Sequence, residues 1–242
     1  MVEKRRVWDL PLRMFHWLLV LNIAASWYTA ENGEEYLNVG DRAFAYIEIH
    51  FFLGYLALAL VAFRIIWGFV GPKHARFSSF LAGPKKFFGY AGTVLRRDAK
   101  PSIGHNPLGG WMVALMLAMI GSQAFTGLFM IDSSDIYPAI YHGAVSSDLG
   151  SIFGRFHHIN FDVLLWVISL HVLAIVFYAV YKRQNLVHPM VTGKKLASMV
   201  PEHEAIASSQ LLKALIVALI CAGGIYAMIK LAPPPAAVEE YY

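Results

Sequence analysis

An all-α integral membrane fold, a four-helix transmembrane bundle with a fifth helix at the carboxyl end, is predicted by three features of this sequence. Of its 242 residues, 57% are hydrophobic and only 15% charged, whereas a soluble domain is usually near a quarter charged. Five apolar stretches approach or exceed the roughly 20 residues a helix needs to cross a hydrocarbon core. The loops between them alternate in charge, as the positive-inside rule requires of a multi-pass chain.

The first stretch, Met14–Ala30, is the shortest and is diluted by Asn22 and Ser26. A basic start, Met1–Arg6, precedes it with no Ala-x-Ala site behind, so it reads as a retained signal anchor. The second, third and fourth stretches are Ile47–Phe69, Leu108–Ile131 and His157–Tyr181. The fifth, Leu211–Leu231, carries Lys213 and Lys230 near its ends, where both can snorkel to headgroups.

Basic residues set the orientation. Lys4, Arg5, Arg6 and Arg13 precede the first crossing, seven Lys and Arg from Lys73 to Lys100 follow the second, and Lys182, Arg183, Lys194 and Lys195 follow the fourth. The alternate loops hold Glu31, Glu34, Glu35 and Asp41, then Asp132, Asp135 and Asp148. The amino terminus is therefore expected in the cytoplasm and the carboxyl tail, Pro233–Tyr242, in the periplasm. Within the long basic loop, Phe80-Leu81 and Phe87-Phe88 lie among Lys85, Lys86, Arg96 and Arg97. That pattern fits either an interfacial helix or a solvated basic loop. The single Cys221 excludes an internal disulfide and a cysteine-ligated cluster.

Of ten histidines, His74, His105, His188 and His203 fall in cytoplasmic loops and His142 in an outside loop. Four others pair by depth: His16 with His171 toward the inside, and His50 with His157 toward the outside. His157 and His171 are fourteen residues apart on one helix, about 21 Å along its axis. Helical phase favours His157 over His158, since the first lies roughly 40° and the second roughly 140° from the azimuth of His171. Two pairs, each drawn from two helices, suit axial ligation of two flat b-type haems with no open iron position, hence electron transfer. Arg155 is placed for an outer haem propionate, and Arg13 or Arg64 for an inner one; each reads equally as a headgroup anchor. Gly54, Gly121 and Gly127 would let a ring approach the backbone or, alternatively, let helices pack closely. A transition-metal transport site would want three or four ligands at one depth, often with carboxylates, and Asp162 alone is intramembrane.

The run Val7-Trp8-Asp9-Leu10-Pro11-Leu12-Arg13-Met14-Phe15-His16-Trp17 resembles the opening of the bacterial cytochrome b561 and nickel–iron hydrogenase b-type cytochrome family. So do His50-x-x-x-Gly54 with Arg64-x-x-Trp67-Gly68-Phe69, the run Gly104-His105-Asn106-Pro107-Leu108-Gly109-Gly110, and the segment from His157 through His171 to Gly193-Lys194-Lys195. The resemblance implies a di-haem cytochrome b membrane domain over residues 7–195. Residues 196–242 would then hold a linker, the fifth helix and a short outer tail. The family's histidine pattern falls on His16, His50, His157 and His171. It also implies an inner-membrane, quinone-linked respiratory protein, working as an electron-transfer subunit or a quinone-linked oxidoreductase. The expected partners are lipid, quinone and a periplasmic c-type cytochrome or redox-enzyme subunit, with no nucleic acid. The rival readings are a haem-bearing anchor without its own quinone site, and a haem-free metal or ion transporter.

Overall fold

A computed structural model describes residues 3–97, 101–130 and 137–233 of the chain. Asp132, Asp135 and Lys100, which entered the charge argument, and residues 234–242 of the expected outer tail lie outside the described residues. The helices are α1 (Leu10–Glu31), α2 (Tyr46–Val70), α3 (Phe77–Phe80), α4 (Pro84–Ala91), α5 (Pro107–Gly127), α6 (Ser147–Val180), α7 (Val187–Thr192) and α8 (Leu211–Lys230). Short strands β1 (Lys4–Arg6) and β4 (Lys194–Leu196) pair antiparallel, as do β2 (Tyr36–Val39) and β3 (Arg42–Ala45).

Four of these helices, α2, α5, α6 and α8, are long and apolar enough to cross a membrane. The carboxyl-terminal stretch is thus among the four. It is α1, the stretch diluted by Asn22 and Ser26, that falls short on apolarity while reaching 22 residues in length. Large apolar side chains stand exposed along these helices, Trp166 at 77% and Leu212 at 73% among them. Such a surface needs lipid rather than water around it. Helix α6 differs most from the expected bounds. It starts ten residues before His157 and runs for 34 residues, about 51 Å, well beyond a hydrocarbon core of about 30 Å.

The fold consists of two compact units, and α1, α2, α5, α6 and α8 each contribute residues to both. The first unit comprises the described residues of 3–17, 62–118 and 165–218. Its anchor is Asp9, which caps α1: its Oδ1 accepts from Leu12 N at 2.9 Å and from Trp67 Nε1 at 3.0 Å. Both side chains are almost wholly buried, and burial pushes the Asp9 carboxyl up from its ordinary value against the pull of those bonds. Proline at Pro11 is tolerated because the first helical N–H groups have no intrahelical acceptor. Asn106 caps α5 in the same way, accepting from Gly109 N at 2.7 Å while its Nδ2 donates to Tyr178 Oη. Gly193 takes φ +78 to end α7, and its carbonyl receives Val7 N and Trp8 N, which sets the β1–β4 register. A Cβ there would sit 2.7 Å from Trp8 O. Asp9→Ala removes a cap and leaves a buried indole N–H unpaired. It is expected to cost about 2–3 kcal/mol, read as a lowered Tm in detergent with Asp9→Asn partly restoring it.

The second unit comprises the described residues of 18–61, 119–164 and 219–233. Gly40, at φ +61, opens the two-residue loop between β2 and β3, giving a hairpin where only an acidic loop was expected. Polar side chains tie the helices together. Asn22 Nδ2 donates to Leu53 O at 3.0 Å, and Asn160 Nδ2 donates to Gln123 Oε1 at 2.7 Å and Met119 O at 3.0 Å. The residue that dilutes α1 is therefore an interhelical bond in a setting without competing water.

Candidate functional site

Within the second unit, α2 and α6 bring His50 and His157 together, their ring centroids 6.4 Å apart and planes at 73°. The hydrogen bonds fix which nitrogen carries the proton. His50 Nδ1 lies 2.9 Å from Ser26 O, a carbonyl that can only accept, so Nδ1 is the N–H. Thr126 Oγ1 commits its proton to the Ser122 and Gln123 carbonyls. Its lone pair is then what meets His157 Nδ1 at 3.3 Å. Each imidazole is left with a bare Nε2 lone pair, the arrangement of metal-binding histidines oriented by a backbone or hydroxyl acceptor. Two imidazoles on opposite sides of one metal, each bonded at about 2 Å, would have centroids roughly 6 Å apart. The observed spacing fits.

Glycines shape this site in two ways. A Cβ on Gly127 would come within 3.0 Å of His157 Cε1, so glycine there admits the imidazole itself. Gly54, one turn from His50, has nothing within 4 Å of where its Cβ would be. Gly121 instead faces Val61 Cγ1 at 3.5 Å, an ordinary helix contact. His157 is half-buried while His158 is exposed, in line with their helical phase. Arg155 is also exposed.

The first unit holds His16 and His171. They lie within electrostatic range of each other, but no ring contact joins them. His16 Nδ1 is buried without a partner. Beside it is a cavity of about 60 Å³ lined by Trp8, Leu12, Phe15, His16, Arg64, His105, Val113 and Met190. Arg64 is 1% exposed and neither Nη1 nor Nη2 has a hydrogen-bond partner. Its charge rests on the faces of Phe77 and Phe80, at 4.9 and 5.6 Å. Arg13, by contrast, donates through Nη1 to Val191 O, with Nε buried and unpartnered. Orphaned nitrogens and an unpaired guanidinium around one cavity fit a group that offers a metal and an anionic edge.

Of the histidines assigned to solvated loops, His74 is buried and His105 half-buried. His74 Nε2 donates to Glu204 O, 2.8 Å away. His105 packs edge-on against Trp8 and tilted against Phe80, ring centroids at 4.7 Å in each case, with its Nδ1 buried and unpartnered. Burial first, and then the neighbouring Arg64 charge, push its imidazole down to about 3, so it stays neutral. The signal that could have found it was Asn106-Pro107 directly behind it, a helix-start pattern that pins the loop end against α5. Among the described residues, no three His, Cys, Asp or Glu converge as a conventional metal site.

Comparison with known proteins identifies the family. The family model for prokaryotic cytochrome b561 matches residues 7–193. A probable Ni/Fe-hydrogenase B-type cytochrome subunit of Rhizobium leguminosarum bv. viciae is 28% identical over 216 residues, covering 78% of this chain and 88% of its own. Proteins of the same description from Azotobacter vinelandii and Bradyrhizobium diazoefficiens are 25% and 24% identical, covering 78% of this chain and 88% and 85% of theirs. No solved structure matches.

Proposed function

We propose, for a chain that belongs to the prokaryotic cytochrome b561 family and so to the membrane b-type cytochromes, that it passes electrons across the bilayer between a quinone pool and a periplasmic redox protein. The observation that carries this reading is the His50–His157 pair, 6.4 Å apart with both Nδ1 atoms hydrogen-bonded. In it, His50 and His157 hold one haem, and His16 and His171 a second nearer the cytoplasm. When bound, haem supplies reversible one-electron exchange at a fully ligated iron. The chain's own part is orientation and electrostatics. Ser26 O and the Thr126 hydroxyl fix the outer imidazoles, and Arg64 offers its unpaired nitrogens to an inner propionate. Arg13 and Arg155 remain the further propionate partners of this reading.

Quinone reaction is placed at the inner end, where the Arg64 and Arg13 charges favour developing negative charge. Because the relatives are named as hydrogenase cytochrome subunits, the outer partner is a hydrogenase-type or other redox subunit, or a c-type cytochrome. Attachment to such a subunit without quinone chemistry is the second reading. Reduction by a quinol analogue, and its block by quinone-site inhibitors, separates the two.

The experiment is a pyridine-haem count with reporter fusions. Two haems per chain are expected, with the segment around Ala99 cytoplasmic and Tyr242 periplasmic. A single haem, or a cytoplasmic tail, sinks the trans-bilayer arrangement. Electron exchange with the outer partner is also expected to slow as salt rises, because Glu34, Glu35 and Asp41 project a negative field that salt screens over about 8 Å. A rate unmoved by salt and by neutralising those three removes the acidic face from recognition.

A further inference from the structure

Beyond any electron-transfer role, the first unit contains a second and larger cavity, of about 530 Å³, whose lining includes Arg6, Arg13, Lys194 and Lys213 but no carboxylate. Two of these cations are held face to face: the β1–β4 register sets Arg6 directly opposite Lys194. Like charges in that position destabilise a strand pair, unless something negative lies between them. The chain supplies nothing of the kind. Among the described residues none of the four cations has an ion pair, and of the two acids nearest Arg6 in sequence Glu3 is taken by Arg5 at 3.2 Å while Asp9 accepts from Leu12 N and Trp67 Nε1.

The polar atoms in the cavity are left ready for a ligand. Arg13 Nε is buried without a partner. Ser209 Oγ already accepts from Leu10 N at 3.1 Å, so its own proton is free to donate. Gln210, held at φ +49 immediately before α8, buries Oε1 with no donor. Cations and a hydroxyl donor suit a phosphodiester; a buried amide acceptor in a positive cavity suits a neutral hydroxyl rather than an ammonium. The rim has an apolar side: Leu212, which lines the cavity, is 73% exposed, and Leu215, farther along the same helix, is 55% exposed.

We propose that this cavity binds the headgroup of an anionic phospholipid of the phosphatidylglycerol type. Its phosphodiester sits among Arg6, Lys194 and Lys213, its glycerol hydroxyl meets Gln210, and its acyl chains run along the exposed leucines of α8. A free phosphate would use the same cations but leave the apolar rim unused, and this favours the lipid.

Native mass spectrometry of the haem-loaded protein in mild detergent tests it, with phosphatidylglycerol and phosphatidylcholine as probes. Phosphatidylglycerol is expected to bind at least tenfold more tightly. The combined Arg6→Gln, Lys194→Gln and Lys213→Gln variant is expected to lose that preference, while Lys85→Gln with Lys86→Gln keeps it. If the triple variant fails to retain its haem absorbance, Lys213→Gln alone is read, with about a threefold loss. An unchanged preference in the variant that is read overturns the proposal. So does an equal loss in the Lys85 and Lys86 control, or displacement of the lipid by millimolar inorganic phosphate.

Discussion

Alanine in place of His50 or His157 is expected to remove one of two b-haem equivalents and leave the other, halving the pyridine-haem count of purified protein. Two half-buried imidazoles 6.4 Å apart, each already hydrogen-bonded through Nδ1, have only their Nε2 atoms to give. Loss of either would leave the group held by one imidazole instead of two. Alanine at His16 or His171 is expected to remove the other equivalent, and His158→Ala, at an exposed position, to remove none. Finer changes grade the effect. Thr126→Val deletes the acceptor for His157 Nδ1 and should shift the potential of one component while keeping the haem. Gly127→Ala pushes a methyl to within 3.0 Å of His157 Cε1 and should alter the spectrum of that component alone. Two intact haem components in all four histidine variants would end the assignment.

The apolar helices were legible because lipid imposes a crude rule, a run of about 20 predominantly apolar residues, and α2, α5 and α8 obey it. The start of α6 was not, because Ser147–Phe156 mixes glycine, serine and charge. A hydropathy reading stops where hydrocarbon would stop, not where the helix does. A cap-based reading had a foothold in Ser146, whose Oγ receives Leu149 N at 3.4 Å, with Asp148 in the first turn. The outer pair was reachable from sequence since depth and phase on regular helices are arithmetic. The packing of His74 and His105 was not, since both rings meet Trp8 from a distant part of the chain. Neither was the β1–β4 pairing. Strands three residues long with a charge at nearly every position carry no alternation, and their register comes from a left-handed glycine 187 residues away from Arg6, at Gly193.

Arg64→Met is expected to act with opposite signs on the two forms of the protein. Arg64 is 1% exposed, and both terminal nitrogens lack partners. The nearby carboxylate, Asp9, already spends Oδ1 on Leu12 N and Trp67 Nε1 and forms no ion pair with it. In the haem-free chain the guanidinium is therefore a buried charge compensated by the faces of Phe77 and Phe80, a contact worth about 1–2 kcal/mol, and by the field of Asp9 without a direct ion pair. Replacing a poorly compensated buried ion with an apolar side chain of similar length stabilises by about 1–4 kcal/mol, so haem-free Arg64→Met should melt higher than wild type. In the haem-loaded protein, an inner propionate would complete the pair. Breaking a completed buried pair costs about 3 kcal/mol, roughly a hundredfold in retention of that haem. Arg64→Lys keeps the charge but not the forked donors, and should fall between. Thermal unfolding of haem-starved and haem-replete preparations reads the first sign, and competition with apomyoglobin for haem reads the second. A variant that melts lower in both forms and keeps both haems would make Arg64 a packing residue held by its two aromatic neighbours, with no anion to meet.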